Sequence, residues 1–242
     1  MTSQRYVSKE LTHFIGRGQS EEDQYTLLVE ILRSGWLTHP PHNPDISGNL
    51  QVNTSAPLAE MYNAQVVCFA DISIQDLSIH MSKYTLFGLS FLKTFLIEKG
   101  ANPVFYVAEN SYVYSPRSSS PGPDSVTRKD HFEKMVREWL DLSPQIMSNT
   151  WQQNSSLKPL RQRWFDLDMF INFHFFSFAK YFDAARADEE PDNFYMEREW
   201  RVLGNVGFEL KDVYRIILPR HYSERLRTDL PTYVGQVTFP ET

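Results

Sequence analysis

The side chains that could do chemistry are thinly spread along this chain of 242 residues. His39-Pro-Pro-His42 sets two imidazoles at a spacing a metal ion could bridge. It has no third ligand nearby and lies in a Pro-rich stretch, so no metal site is expected. Cys68 is the one cysteine. It could act as a nucleophile with His80, or sit in a strand core as a small hydrophobe. A single thiol excludes both a disulfide framework within the chain and a zinc ribbon. No P-loop, GxGxxG turn or G-x-S-x-G elbow is present, so nucleotide sites of those kinds and an α/β-hydrolase nucleophile have no support. Two mixtures of basic and aromatic residues remain. Arg215, Arg220, His221, Arg225 and Arg227 interleave with Tyr214 and Tyr222; Lys158, Arg161 and Arg163 stand beside Trp164. Such mixtures can hold single-stranded nucleic acid by phosphate contact and base stacking, or can be solvated faces. The formal net charge of −6 excludes a generally basic coat. Three further pieces place polar residues at the ends of apolar runs: His13 in Thr12–Gly16, Asp71 after Val66–Ala70, and Glu197 and Glu199 in Tyr195–Val202.

The elements that would position these residues can be read from periodicity and punctuation. Glu21–Ser34 has Leu28, Ile31 and Leu32 on one face, a Ser20/Asp23 capping pattern, acids in its first turn and Gly35 as a left-handed stop. It reads as a helix. Strands are expected near Leu11–Ile15, Val66–Ala70, Phe87–Phe91, Val104–Ala108, Glu199–Leu203 and Val213–Leu218. A helix is expected over Ser73–Tyr84, another around Phe132–Trp139, and a third from Ser143-Pro144, where Pro suits the first helical position. Residues 37–63, with four prolines, read as an irregular surface loop, and Tyr114–Ser125 as a flexible Pro/Ser-rich insertion boundary. Met169–Phe182 reads as a buried helix. Seven of the 17 Phe fall between Phe165 and Phe182, and a helix apolar all round must be buried or covered by another chain. That run is too short for a membrane span and is broken by Asn172, His174 and Lys180. The N-terminal residues lack a signal-peptide pattern, so a cytoplasmic protein without membrane contact is expected. Strands and helices do not alternate regularly, which favours α+β. One domain over residues 1–242 is expected, with a helical insert at about 126–186.

The order of the pieces resembles the ADP-ribosyltransferase fold of the diphtheria-toxin and poly(ADP-ribose) polymerase type. The matching residues are His13, Gly35-Trp36-Leu37, Phe69-Ala70-Asp71, Tyr84, and Glu197 or Glu199. Phe69 stands where the polymerase-type pattern has Tyr, so the stacking face survives without the hydroxyl. At closer range the chain resembles the AbiGi-type phage-resistance family. LTHFIG, LLVEILRSGWL, VCFADI, HMSKYTLFGLSF, KGANPVFYV and YMEREWRV carry that likeness over about residues 5 to 205. Members also resemble the mRNA-modifying toxin of a toxin–antitoxin–chaperone defence system.

The resemblance implies a split, mixed or antiparallel β core and NAD as co-substrate. Glu199 or Glu197 would stabilise the positive charge that grows on the ribose as the nicotinamide bond breaks. Both are expected on one strand face; the alternative is that they pair with Arg198 and Arg201. His13 would bond the adenosine-side ribose, Tyr84 would stack on nicotinamide with Phe69 against the same ring, and Arg17 would pair with the diphosphate. The alternatives are a His bonded to backbone, core aromatics and a surface Arg. The implied function is an anti-phage toxin that moves ADP-ribose from NAD to RNA, with Arg215, Arg220, Arg225 and Arg227 against the nucleic acid. A neutralising antitoxin, and a chaperone, would be its partners. The alternatives are a non-enzymatic antitoxin or binding module on the same fold, and transfer to DNA or protein.

Overall fold

Ser20 opens the first helix as its sequence requires. Its hydroxyl oxygen accepts from the Asp23 amide at 3.2 Å, while Glu21, Glu22 and Asp23 face the positive end of the helix dipole. Gly35 ends the helix at φ +71°, its amide donating to the Ile31 carbonyl. The computed structural model describes residues 8–39, 50–53, 55–56, 61–73, 81, 84–108, 128–148, 155–187, 190 and 194–239. The expected helix over Ser73–Tyr84 lies mostly outside them, and Tyr114–Ser125, His42 and His80 lie wholly outside.

The helices are α1 (Glu21–Ser34), α2 (Lys93–Glu98), α3 (Arg128–Ile146), α4 (Lys158–Phe170) and α5 (Ser223–Asp229). The strands are β1 (Glu10–Phe14), β2 (Trp36–Leu37), β3 (Leu50–Val52), β4 (Tyr62–Ala64), β5 (Val66–Ala70), β6 (Gly88–Leu92) and β7 (Asn102–Pro103). They continue as β8 (Phe105–Ala108), β9 (Ala179–Phe182), β10 (Glu199–Leu203), β11 (Val206–Gly207), β12 (Val213–Ile217) and β13 (Gln236–Thr238). The class is α+β, as expected. The chain divides into two compact units.

The first unit comprises residues 1–49, 65–104 and 194–242. Its seven-stranded sheet has the order β13-β12-β6-β1-β5-β10-β7. Every pairing is antiparallel except β12 with β13. Tyr25, Leu28, Val29 and Leu32 of α1 are buried in one core with Leu11, Ile15, Phe87, Leu89, Phe91 and Val202. Burial of such side chains contributes about 1.5–3 kcal/mol each, before ordering costs. Tyr25 stacks on Tyr222 at 4.6 Å, and its hydroxyl donates to Asp229 at 2.6 Å, tying α1 to α5.

The second unit comprises residues 50–64 and 105–193, which include the stretch expected as a helical insert. Its buried core is small: Met61, Val107, Val136 and Phe176, with Tyr62 stacked on Phe176 at 4.5 Å. Three expectations are corrected here. The loop at 37–63 contains an antiparallel ribbon, β3 with β4. The helix expected to start at Ser143-Pro144 is the end of α3, which runs through Pro144. Pro144 brings no N–H to the Leu140 carbonyl, and the helix ends two residues later. Met169–Phe182 is not one buried helix. It passes from α4 through a π-turn (Ile171–Phe175) and a 3-10 turn (Phe176–Phe178) into β9, which pairs in parallel with β8. Its Phe, Asn and His residues are weak helix formers, and the edge of β8 offers them backbone partners.

Gly35 and Gly18 separate two costs of adding a side chain. Both have positive φ, but a Cβ on Gly35 would lie 2.7 Å from the Phe208 carbonyl oxygen, whereas one on Gly18 meets nothing within 4 Å. Gly18→Ala should cost about 1 kcal/mol. Gly35→Ala should cost a further 1–3 kcal/mol or so from overpacking, read as a lower urea midpoint at unchanged slope.

Candidate functional site

The seven-stranded sheet is narrowest in its middle. β1 pairs with β6 from Glu10↔Leu92 to Phe14↔Gly88, and β5 pairs with β10 from Ala70↔Glu199 to Val66↔Leu203. Between β1 and β5 the register is the one pair Thr12↔Ala70. Beyond it the two strands part. A cavity of about 220 Å³ opens between them, with His13, Gly16, Leu37, Thr38, His39 and Cys68 in its wall.

His13 stands at this parting. Its Nδ1 lies 2.8 Å from the Cys68 carbonyl oxygen, so that nitrogen donates. The ring tilts against Phe69 with centroids 5.8 Å apart. His13 therefore has the backbone bond that was its alternative reading. Phe69 is 1% exposed, edge-on to Phe91 at 6.2 Å, and belongs to the core. Cys68, expected in the strand core, is exposed. The alternation of β5 turns Val67 and Phe69 inward and Cys68 to the other face.

Antiparallel register assigns the remaining residues to faces. Phe69 and Trp200 are partners, as are Ala70 and Glu199, and Cys68 and Arg201. Glu199 thus projects from the face opposite Phe69 and His13. It is 6% exposed, and its Oε1 takes the Arg201 Nε at 2.6 Å. Glu197 and Glu199 do not share a strand. Glu197 ends a 3-10 turn (Phe194–Glu197), and Arg198 has φ +44°, a left-handed bend that breaks the alternation. That bend is held at Asp71, whose amide donates to the Arg198 carbonyl at 3.2 Å and whose Oδ2 accepts from Arg198 Nη2 at 3.3 Å. Lys93 Nζ reaches the same Oδ2 at 2.8 Å. The Phe-Ala-Asp phrase pointed to Asp71; no spacing signal marked Lys93.

Tyr84 closes this face. Its ring stacks on Phe14 at 5.5 Å, the Arg17 guanidinium lies 5.1 Å from its centroid, and its hydroxyl donates to Glu197 Oε1. Burial, and then the bond to Glu197, hold its pKa well above the ordinary phenol value. Tyr84 therefore contacts Phe14, Arg17 and Glu197, with Glu199 near enough to raise the Tyr84 pKa further. His13 and Phe69 lie on the other face of the sheet.

The basic tract has intramolecular work. Arg215 Nε lies 3.0 Å from Glu10, and its Nη1 donates to Thr238 at 2.6 Å. Arg225 pairs with Glu22 at 2.7 Å and lies over Tyr25 at 4.4 Å. Arg220 lies over Phe239 at 4.8 Å, and Arg227 is exposed. Two of the four arginines assigned to nucleic acid are thus already matched by carboxylates. Among the described residues no helix is long and apolar enough to cross a membrane, and no group of three His, Cys, Asp or Glu could hold a metal ion.

Fold and site define an α+β protein on a mostly antiparallel sheet whose candidate carboxylates are bonded within the chain. Residues 45–225 match the family described as "Putative abortive phage resistance protein AbiGi, antitoxin". The chain belongs to that family. No curated protein and no solved structure matches it. The family finding supports the phage-resistance resemblance. It overturns the expectation of a toxin that transfers ADP-ribose to RNA, because the family is described as an antitoxin.

Two measurements follow from this geometry. Glu199→Ala removes the mostly buried Arg201–Glu199 ion pair and should lower stability by about 3 kcal/mol in urea unfolding, well beyond the effect of Glu197→Gln. Tyr25, Tyr84 and Tyr233 all have raised pKa values, chiefly through burial. Above pH ~10 the unfolded chain loses phenol protons that the folded chain keeps, so stability should fall as pH rises through that point. The phenolate absorbance of these three tyrosines should appear together with unfolding, as a step above that of the exposed tyrosines.

Proposed function

We propose that this chain is the antitoxin of an abortive-infection pair and acts by binding its toxin, without turnover. The observation that carries the reading is the family match over residues 45–225. Bonding inside the chain supports the non-enzymatic part. Glu199 is held by Arg201, Glu197 by the Tyr84 hydroxyl, and Asp71 by Lys93 and Arg198. A carboxylate that must stabilise charge developing on a bound sugar gains by facing the reactant without a competing cation. The split between β1 and β5, with His13 at one edge and Glu199 across the junction, supports reading the scaffold as ADP-ribosyltransferase-like, retained for binding.

Expression in bacteria tests the reading. The chain alone should leave growth unchanged, the gene encoded beside it should arrest growth, and co-expression should restore it. Growth arrest by this chain alone would overturn the proposal. Purified chain incubated with labelled NAD and separate pools of RNA, DNA and protein should transfer no label; transfer to any pool would refute the absence of turnover.

A further inference from the structure

The second unit carries an apolar surface that its own core does not use. Ile146 of α3 and Leu160, Trp164 and Leu167 of α4 line a groove of about 530 Å³. Leu160 is 51% exposed, Leu167 47% and Phe170 58%. Leu160, Arg163, Leu167 and Phe170 follow one another at three, four and three residues, so they form one stripe along α4. Trp164 forms the inner wall, stacked on Trp139 at 4.4 Å. A stripe of this kind accepts an amphipathic helix laid across it, through anchors one helical turn apart.

Arg163 states the chemistry of the occupant. It is the charged residue in the groove wall. Among the described residues neither it nor Arg161, on the same helix, forms an ion pair. Covering the stripe with an apolar partner would strip water from the Arg163 guanidinium and leave it uncompensated. An occupant must therefore bring a carboxylate between its apolar anchors, and a guanidinium can take that carboxylate in a two-pronged bond. A second copy of this chain answers less well, because its own stripe would set one Arg163 near another.

We propose that the α4 stripe is the toxin-binding surface: a groove for an amphipathic helix of the toxin, apolar on one face, with a Glu or Asp among its anchors directed at Arg163. The identity of the occupant as toxin rests on the antitoxin reading above; the helix-binding chemistry does not.

Two arms separate the two claims. In the first, the full chain is titrated with labelled helical peptides that carry Leu on one face and either Glu or Lys within it. The Glu peptide should bind at least about 10-fold tighter, with a preference that weakens in salt and reverses in Arg163→Glu. Equal binding of both peptides, or of neither, overturns the surface. In the second arm, Leu160→Glu/Leu167→Glu and, separately, Arg163→Glu are co-expressed with the growth-arresting neighbour. These positions are exposed, and circular dichroism checks that each variant folds. Each variant should weaken co-purification roughly 30-fold or more, as hot-spot residues do, and lose rescue of growth. Lys158→Ala, on the opposite face of the same helix, should leave both intact. Full rescue by folded variants overturns the toxin as occupant while the antitoxin reading stands. If wild-type chain fails to rescue, the antitoxin reading falls, and the peptide arm still decides the groove. Sedimentation is the last check: a wild-type dimer that Leu160→Glu/Leu167→Glu converts to monomer would assign the stripe to a second copy and refute the proposal.

Discussion

The Thr12↔Ala70 pairing is the narrow waist on which the first unit depends. On one side of it β1 is fully paired with β6; on the other β5 is fully paired with β10. Strands with so little mutual hydrogen bonding need side chains to hold their register. The structure supplies them on both faces. Thr12 Oγ1 and Ser90 Oγ are 2.8 Å apart in a buried position on one face, and Leu11, Ile15 and Phe69 join the α1 core on the other. The candidate site inherits its shape from this waist. The strands part where the pairing stops, which places His13 at the rim of a cavity and leaves its imidazole able to reach the Cys68 carbonyl across the gap.

The same waist explains why the charged groups beside it are tied to one another. Asp71 follows the last residue of β5, where the strand leaves the sheet, and its buried carboxylate has lost water on all sides. Lys93 and Arg198 offset that loss through one oxygen. The left-handed bend at Arg198 is held from both ends by Asp71, so a bend costing on the order of 1 kcal/mol persists. Without it Glu197 would continue β10 and point the way Glu199 does. With it Glu197 meets Tyr84, and two acids two residues apart in sequence have different partners.

Where local signals are strong, the sequence was legible. Ser20, the first-turn acids and Gly35 defined α1 to the residue, and the β-branched run Val66–Ala70 defined β5. The Glu197/Glu199 pair was misread because strand alternation assumes ordinary φ, and nothing in Met-Glu-Arg-Glu announces a left-handed arginine. Cys68 was misread because an unbroken apolar run cannot say which face of a strand has a neighbour. The basic C-terminal tract resembled a phosphate surface only while Glu10 and Glu22, some 200 residues away in sequence, were out of view. The Phe-rich stretch failed as a helix for a related reason: its conformation was decided by β8, not by its own propensity.

The second unit reverses the usual relation between aromatic content and core. A stretch holding seven of the 17 Phe leaves much of that surface exposed, while four residues form the buried cluster. Apolar surface on that scale is costly in water and invites association, so it persists where a partner gains from it. In an enzyme such a surface would be incidental to catalysis. In an antitoxin it is where selection acts, because neutralising a toxin demands affinity, and affinity is concentrated in desolvated aromatic, aliphatic and Arg anchors. The internally matched carboxylates of the first unit and the unmatched Arg163 of the second therefore belong to one account. The charges that could have served catalysis are paired within the chain, and Arg163, which forms no ion pair among the described residues, stands in the middle of the apolar stripe.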